Sequence, residues 1–226
     1  PIYPGKTRDL KECFDIGPER ARLEGPFFGP NQWPAGLPEF QTLVYGYHQK
    51  MVTLSKQLLR GIALSLDLPE THFEVLMKDP ISIQRLLHYP PIPADAPGIR
   101  AGAHGDINLI TLLLGAEEGG LQLLTREGEW LSITPPEGAM VINVGDMLER
   151  LTNHHLPSTI HRVLNPPPER RHIPRYSMPF FLHLASDFLI ETLPGCISAD
   201  TPNLYPKPIA ANDFLVQRLI EIGLKK

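Results

Sequence analysis

After Asp79 the chain breaks into short runs of strand length, each closed by Gly, Pro or Asn, and this segmentation restricts the fold more than any other feature. The runs are ISIQRLLHYPP, GDINLITLLLG, GLQLLT, WLSITPP, AMVINVGDMLERLT, STIHRVLN and RYSMPFFLHL. Many of the 25 prolines cluster at PIPADAP, PPP and TPNLYPKP, where they break helices and shape loops between such runs. A succession of short strands without helices between them predicts a jelly roll or related sandwich, mainly β with flanking helices.

Helical signals lie on either side. From Glu39 to Ser65 the residues Phe40, Leu43, Val44, Tyr47, Met51, Leu54, Leu58 and Ile62 recur every three or four positions, with Leu66 next, which predicts one face of a long supporting helix. A short second helix is expected in DLPETHFEVLMKD, where Asp67 and Glu70 have capping-box spacing and Pro69 suits a first turn. Phe214, Leu215, Leu219 and Ile222 predict a closing helix within Ile209–Leu224. Residues 1–38 show no period and read as ordered loop. The expected organisation is a single domain over 1–226: loop and helical support in 1–79, the β core in 80–190, a loop and helix in 191–226.

Composition excludes several classes of function. A hydrophobic content of 42% supports a sizeable core, and no apolar run reaches membrane-spanning length. The net charge of −4 and scattered Lys and Arg offer no basic stripe for nucleic acid. Cys13 and Cys196 show no metal-type spacing and read as free thiols, which fits a reducing cytoplasm; a cytoplasmic monomer is expected.

The stretch GAHGDINLITLLL places His104 two residues before Asp106 at the head of an apolar run. On a strand, residues i and i+2 share a face, so the imidazole and carboxylate would converge. His161 in STIHRV is the best third partner, sharing a face with Thr159 and Val163. Two histidines and a carboxylate suit non-haem Fe(II), occupying one face of an octahedron and leaving the opposite positions open. In RYSMPFF, Arg175 and Ser177 share a face, and a guanidinium fork with a hydroxyl makes a carboxylate clamp. The apolar Phe180, Phe181 and Leu182 imply a buried strand, where Arg175 needs an anion.

With these motifs in view the chain resembles the isopenicillin N synthase-like family of iron(II)- and 2-oxoglutarate-dependent oxygenases. The His-x-Asp of HGDINLITLL, His161 in PSTIHRV and the Arg-x-Ser of RYSMPFF carry the resemblance, with RLLHYPP, GGLQLL, MVINVGDMLERLTN and NPP in support. It implies a distorted double-stranded β-helix, with His104, Asp106 and His161 as catalytic iron ligands. It implies too that Arg175 and Ser177 bind the distal carboxylate of 2-oxoglutarate, while Tyr89 either assists at that cosubstrate or is a core residue. Leu87 stands where the family often has Asn, and NHHLPSTIHRV departs from the family's short Gly-containing turn, putting His154 and His155 near the rim. Family members carry a segment before the position of Pro1, so an N-terminal part of the fold is expected to be missing from this sequence.

The implied chemistry uses Fe(II), 2-oxoglutarate and O2, oxidises a C–H bond of a small-molecule substrate by hydroxylation, desaturation or cyclisation, and releases succinate and CO2. The rival readings are an isopenicillin N synthase-type oxidase without 2-oxoglutarate and an ethylene-forming oxygenase. A zinc hydrolase and a non-enzymatic jelly-roll binding module are more remote, since both leave Arg175 without a task. Phe28, Trp33 and Phe214 are the candidate substrate walls, Phe28 and Trp33 from the early loop and Phe214 from the last helix.

Overall fold

A computed structural model describes residues 9–19, 29–77 and 81–222. In chain order the elements are β1 (Glu12–Ile16), α1 (Pro38–Ser65), a 3-10 helix (His72–Met77), β2 (Ile83–Tyr89), β3 (Ala101–His104), β4 (Ile110–Leu114), β5 (Leu121–Leu124), β6 (Trp130–Ser132) and β7 (Met140–Val144). There follow α2 (Asp146–Leu151), β8 (His161–Val163), β9 (Arg175–Ser177), β10 (Phe180–Leu182), β11 (Leu189–Ile190), β12 (Ile209–Ala210) and α3 (Ala211–Glu221), with short 3-10 turns at Pro168–Arg170 and Pro194–Cys196.

Two antiparallel sheets make the body. One has the order β1-β2-β10-β4-β7, with β9 also on β2; the other has the order β3-β8-β5-β6. Residues of both sheets line a common interior cavity, so the strands form a jelly roll around the candidate site. RYSMPFFLHL is two strands rather than one. β9 pairs with Leu87–Tyr89 and β10 with Ile83–Gln84, and the break falls at Pro179, whose nitrogen cannot donate to a ladder. The Gln84 amide fills the gap, donating to the Met178 and Pro179 carbonyls at 3.1 and 3.0 Å.

β10 alternates as a two-sided strand must. Phe180 and Leu182 are fully buried with Ile110 and Leu112 of β4, in a core completed by Met51, Leu59 and Ala63 of α1, Met147 and Leu148 of α2, and Phe214 of α3. Phe181 and His183 turn the other way, towards the site.

α1 begins one residue before the predicted Glu39 and ends at Ser65 as expected. Its buried seam, His48, Met51, Ser55, Leu59 and Ala63, is rotated from the predicted stripe, and Leu43 is 68% exposed. The small residues Ser55 and Ala63 let the helix sit close to the sheet, a choice that hydrophobicity alone does not reveal. Tyr47, Leu54, Leu58, Ile62 and Leu66 pack beside this seam.

Other expectations are corrected. Asp67 starts no helix: with φ of 56° it ends α1, where the Asp67 and Leu68 N–H groups donate back to the Leu64 and Ala63 carbonyls. That is the paired-bond Schellman stop, so the following helix begins later, as a 3-10 helix. Within the expected loop 1–38, Glu12–Ile16 forms β1 against β2, held across the pair by two 2.7 Å bonds from Arg85 to Asp15. The run after Ala139 divides into β7 and α2, and the closing helix is preceded by β12. No described helix is long and apolar enough to cross a membrane.

Candidate metal and cosubstrate site

β3 ends at His104, and Gly105–Asn108 is irregular, so His104 and Asp106 do not converge by strand alternation as expected. The register shifts between Ala101 and His104: three steps along β3 match the two from His161 to Val163 on β8. This bulge re-aims His104, which lies directly opposite His161 with ring centroids 4.3 Å apart.

The turn after β3 then brings the carboxylate back. The Asp106 carbonyl accepts from the Asp146 N–H at the start of α2, 2.8 Å away, and Asn143 of β7 donates its amide to Asp106 Oδ2 at 3.4 Å. Gly145 permits this fold-back, because a Cβ there would lie 2.1 Å from the Asn108 carbonyl oxygen.

His104, Asp106 and His161 each offer one ligand atom within 4.8 Å of the others. His104 Nδ1 lies 2.7 Å from the Gly102 carbonyl and His161 Nδ1 lies 3.2 Å from the Thr159 carbonyl. A carbonyl only accepts, so both Nδ1 atoms carry protons, and it is the Nε2 atoms that are placed to face a metal. Burial and the adjacent His161 push His104 down to about 4 against the pull of Asp106. It is therefore neutral near pH 7, the form that ligates.

The trio lines a cavity of about 70 Å3 together with Tyr89, Arg175 and Ser177, and with Lys11 and Arg85. Arg175 and Ser177 are 4% and 7% exposed on one face of β9, while Tyr176 between them is 64% exposed. Arg175 donates from Nε to the Glu118 carbonyl at 2.9 Å, its guanidinium carbon lies 5.1 Å from the centre of the Tyr89 ring, and Nη1 is buried without a partner among the described residues. The nearby Glu118 carboxylate is engaged instead by Arg170. Burial works against the Arg175 charge, a cost that a bound carboxylate would offset. A buried, unsatisfied guanidinium beside a hydroxyl fits the far end of a dicarboxylate, and two imidazoles with one carboxylate fit Fe(II).

A larger cavity of about 450 Å3 adjoins the first and shares His104 and Asp106 in its lining. Ile81, Ile83, Phe181, Leu215, Leu219 and Ile222 supply its apolar surface. The two described residues among the expected walls lie elsewhere. Phe214 belongs to the core, because it is Leu215 and then Arg218, Leu219 and Ile222 that α3 turns to the cavity. Trp33 is anchored outside the lining, its indole N–H bonded to Glu19 at 2.8 Å and its ring edge-on to Phe40. Phe28 lies outside the described residues. Asn143 and His183 escaped the sequence reading; the only signal was a polar residue at an apolar strand position.

Two sheets closed around a His-x-Asp, distal His trio and a buried Arg-x-Ser define a jelly-roll protein with a candidate mononuclear metal site and an adjoining buried guanidinium that fits an anion. Comparison with known proteins agrees. A model described as the 2OG-Fe(II) oxygenase superfamily matches residues 80–184. Kihadalactone A synthase LFS of Citrus sinensis is 34% identical over 239 residues, covering 98% of this chain and 70% of the relative. The 2-oxoglutarate-Fe(II) type oxidoreductase hxnY of Emericella nidulans is 38% identical, covering 93% of this chain and 63% of its own length. The chain thus spans less than two thirds of hxnY. A crystal structure of a 2OG-Fe(II) oxygenase family protein from Caulobacter crescentus superposes with a TM-score of 0.86 at 53% identity, covering 97% of this chain and 72% of that one. Full-length Neurospora crassa T7H, in complex with alpha-KG, gives 0.83 at 34% identity, over 94% and 66%. This chain belongs to the 2OG-Fe(II) oxygenase superfamily.

Proposed function

We propose that the protein is an Fe(II)- and 2-oxoglutarate-dependent dioxygenase that oxidises a C–H bond of a small molecule and releases succinate and CO2. The observation that carries this reading is the buried Arg175 with its unpartnered Nη1, in one cavity with His104, Asp106 and His161.

In this assignment His104 and His161 hold iron through Nε2 and Asp106 through a carboxylate oxygen, each kept in orientation by its backbone or Asn143 contact. Arg175 and Ser177 receive the distal carboxylate, and the Tyr89 ring shields that ion pair from water. Iron and 2-oxoglutarate, when bound, supply the activation of O2 that leaves one oxygen atom in succinate and directs the other to the substrate. The protein's own share is to exclude water and to fix the substrate beside the metal. The free thiols Cys13 and Cys196 support a cytoplasmic setting, and the enclosed size of the 450 Å3 cavity beside His104 and Asp106 supports action on a small molecule.

Anaerobic addition of Fe(II) and then 2-oxoglutarate should give the visible charge-transfer absorbance of a chelated 2-oxo acid, and exposure to O2 should give succinate. O2 consumption with a substrate but no requirement for 2-oxoglutarate would replace this reading with an oxidase.

A further inference from the structure

The bulge that aims His104 takes two residues of β3 out of register with β8. Gly102 and Ala103 stand opposite the single residue Arg162 and have no register partner of their own. The Gly102 N–H is satisfied from elsewhere: it donates to Oδ1 of Asp9 at 3.0 Å, a residue 93 positions earlier in the chain. Asp9 reaches it from the segment before β1, which is fixed beside the start of β3 by the Leu10 N–H donating to the Ile99 carbonyl at 3.0 Å. The second oxygen of Asp9 lies 2.8 Å from the Lys11 ammonium, and its side chain is only 13% exposed.

Gly102 is also the residue whose carbonyl orients the His104 ring. Carboxylate, Gly102 backbone and imidazole therefore form one connected chain of hydrogen bonds, Asp9 on the N–H side and His104 on the C=O side. Without a side chain and without ladder bonds, a glycine in a bulge is free to rotate its carbonyl away, so its N–H needs a pin. Burial works to raise the Asp9 carboxyl, but the bonds from Lys11 and Gly102 outweigh it and hold the group below its ordinary value, so the pin is a charged acceptor at neutral pH. The two histidines differ accordingly. His104 Nδ1 lies 2.7 Å from its carbonyl and His161 Nδ1 lies 3.2 Å from its own, where the nearby carboxylate, Glu149, holds the N–H of Ser158, the residue before Thr159.

Resting on the metal trio proposed above, we infer that Asp9 is a positioning residue for His104: by pinning Gly102 in the bulge it holds the carbonyl that fixes the ring's tautomer and direction, and it makes His104 the more firmly oriented of the two imidazole ligands. Asp9 touches neither metal nor cosubstrate in this role. It acts through one glycine, and partners that orient a ligating imidazole are worth tenfold or more in metal affinity. Lys11 keeps the Asp9 carboxylate in place and balances its charge.

Cobalt(II), bound by the purified chain in place of iron, tests this without any measurement of turnover. Proton NMR of the Co(II) protein should show two exchangeable, hyperfine-shifted Nδ1–H signals, one for each imidazole ligand. Asp9→Ala should move or broaden one of them far more than the other, and should weaken Co(II) binding by about tenfold. Asp9→Asn, whose amide oxygen still accepts from the Gly102 N–H, should keep most of the affinity and leave both signals near their places. The wild-type chain gives a second reading that needs no variant: the Gly102 amide should be protected from hydrogen exchange although it lies outside the ladder. An unprotected Gly102 amide, two signals displaced alike by Asp9→Ala, or undiminished Co(II) affinity in that variant would each overturn the inference. A wild-type chain that takes up no Co(II) would overturn the metal trio itself and this assignment with it, whereas unmoved signals in a Co(II)-loaded Asp9→Ala protein would overturn this assignment alone.

Discussion

His104 and His161 face each other across the β3–β8 ladder with ring centroids 4.3 Å apart, each ring tied by Nδ1 to the carbonyl of the residue two positions before it. The two rings therefore share a tautomer, and their free nitrogens, with Asp106, form a site set before any metal arrives. Preorganisation of this kind follows from backbone geometry, because carbonyls two residues away cannot leave without breaking the strand ends.

Replacing Asp106 with Ala should abolish retention of Fe(II), or of Mn(II) as a redox-silent substitute, while the β core stays folded. Asn143→Ala, which removes only the contact to Oδ2, should weaken metal affinity by roughly tenfold. Metal titration by calorimetry, with circular dichroism as the folding control, decides both; full metal affinity in Asp106→Ala would reject the site.

Arg175→Ala should raise the Michaelis constant for 2-oxoglutarate by roughly thirty-fold or more, the loss of a charge-assisted pair being worth about 2 to 5 kcal/mol. Iron binding should survive, since Arg175 is not among the ligand-bearing trio. Ser177→Ala should act in the same direction but by only several-fold, as one neutral hydrogen bond warrants. Unchanged 2-oxoglutarate saturation in Arg175→Ala would remove this residue from the cosubstrate site.

Burial pushes the fully enclosed His183 imidazole down to about 4, below its ordinary value near 6.5. Between those values the unfolded chain binds the proton and the folded chain refuses it, so stability is fully present above about pH 6.5 and is lost as the pH falls towards 4. The contribution of this one group at pH 5 relative to pH 7 is about −2 kcal/mol. Urea unfolding of the metal-free protein should show that decline, and His183→Phe should show a shallower one. A stability that rises on acidification through this window would contradict the burial of His183.

Gly145→Ala should cost more than about 2 kcal/mol, because the added Cβ meets the Asn108 carbonyl at 2.1 Å and neither backbone segment can yield without moving Asp106. Gly61→Ala, on an exposed face of α1 with nothing within 4 Å of the new Cβ, should instead stabilise by about 0.5 to 1 kcal/mol. Denaturant midpoints of the two variants measure the contrast directly.

What the sequence determined by itself was whatever local period and residue chemistry encode. The apolar repeat marked α1 to within a residue, the alternation of Arg175, Tyr176 and Ser177 marked which side chains turn inwards, and the spacing of His104, Asp106 and His161 marked the trio. Tertiary structure decided what depends on partners distant in the chain. The bulge that aims His104 exists only because β3 pairs with β8, some sixty residues on, and β1 becomes a strand only because β2 offers it an edge. Helical period alone could not tell that Phe214 enters the core while Leu215 meets the cavity, since adjacent positions on α3 lie near one boundary and the tertiary packing assigns the sides. His183 was hidden for a related reason. An imidazole in an apolar strand reads the same whether its nitrogens are bonded or, like His183 Nδ1, buried without a partner among the described residues, and only the positions of its neighbours distinguish the two.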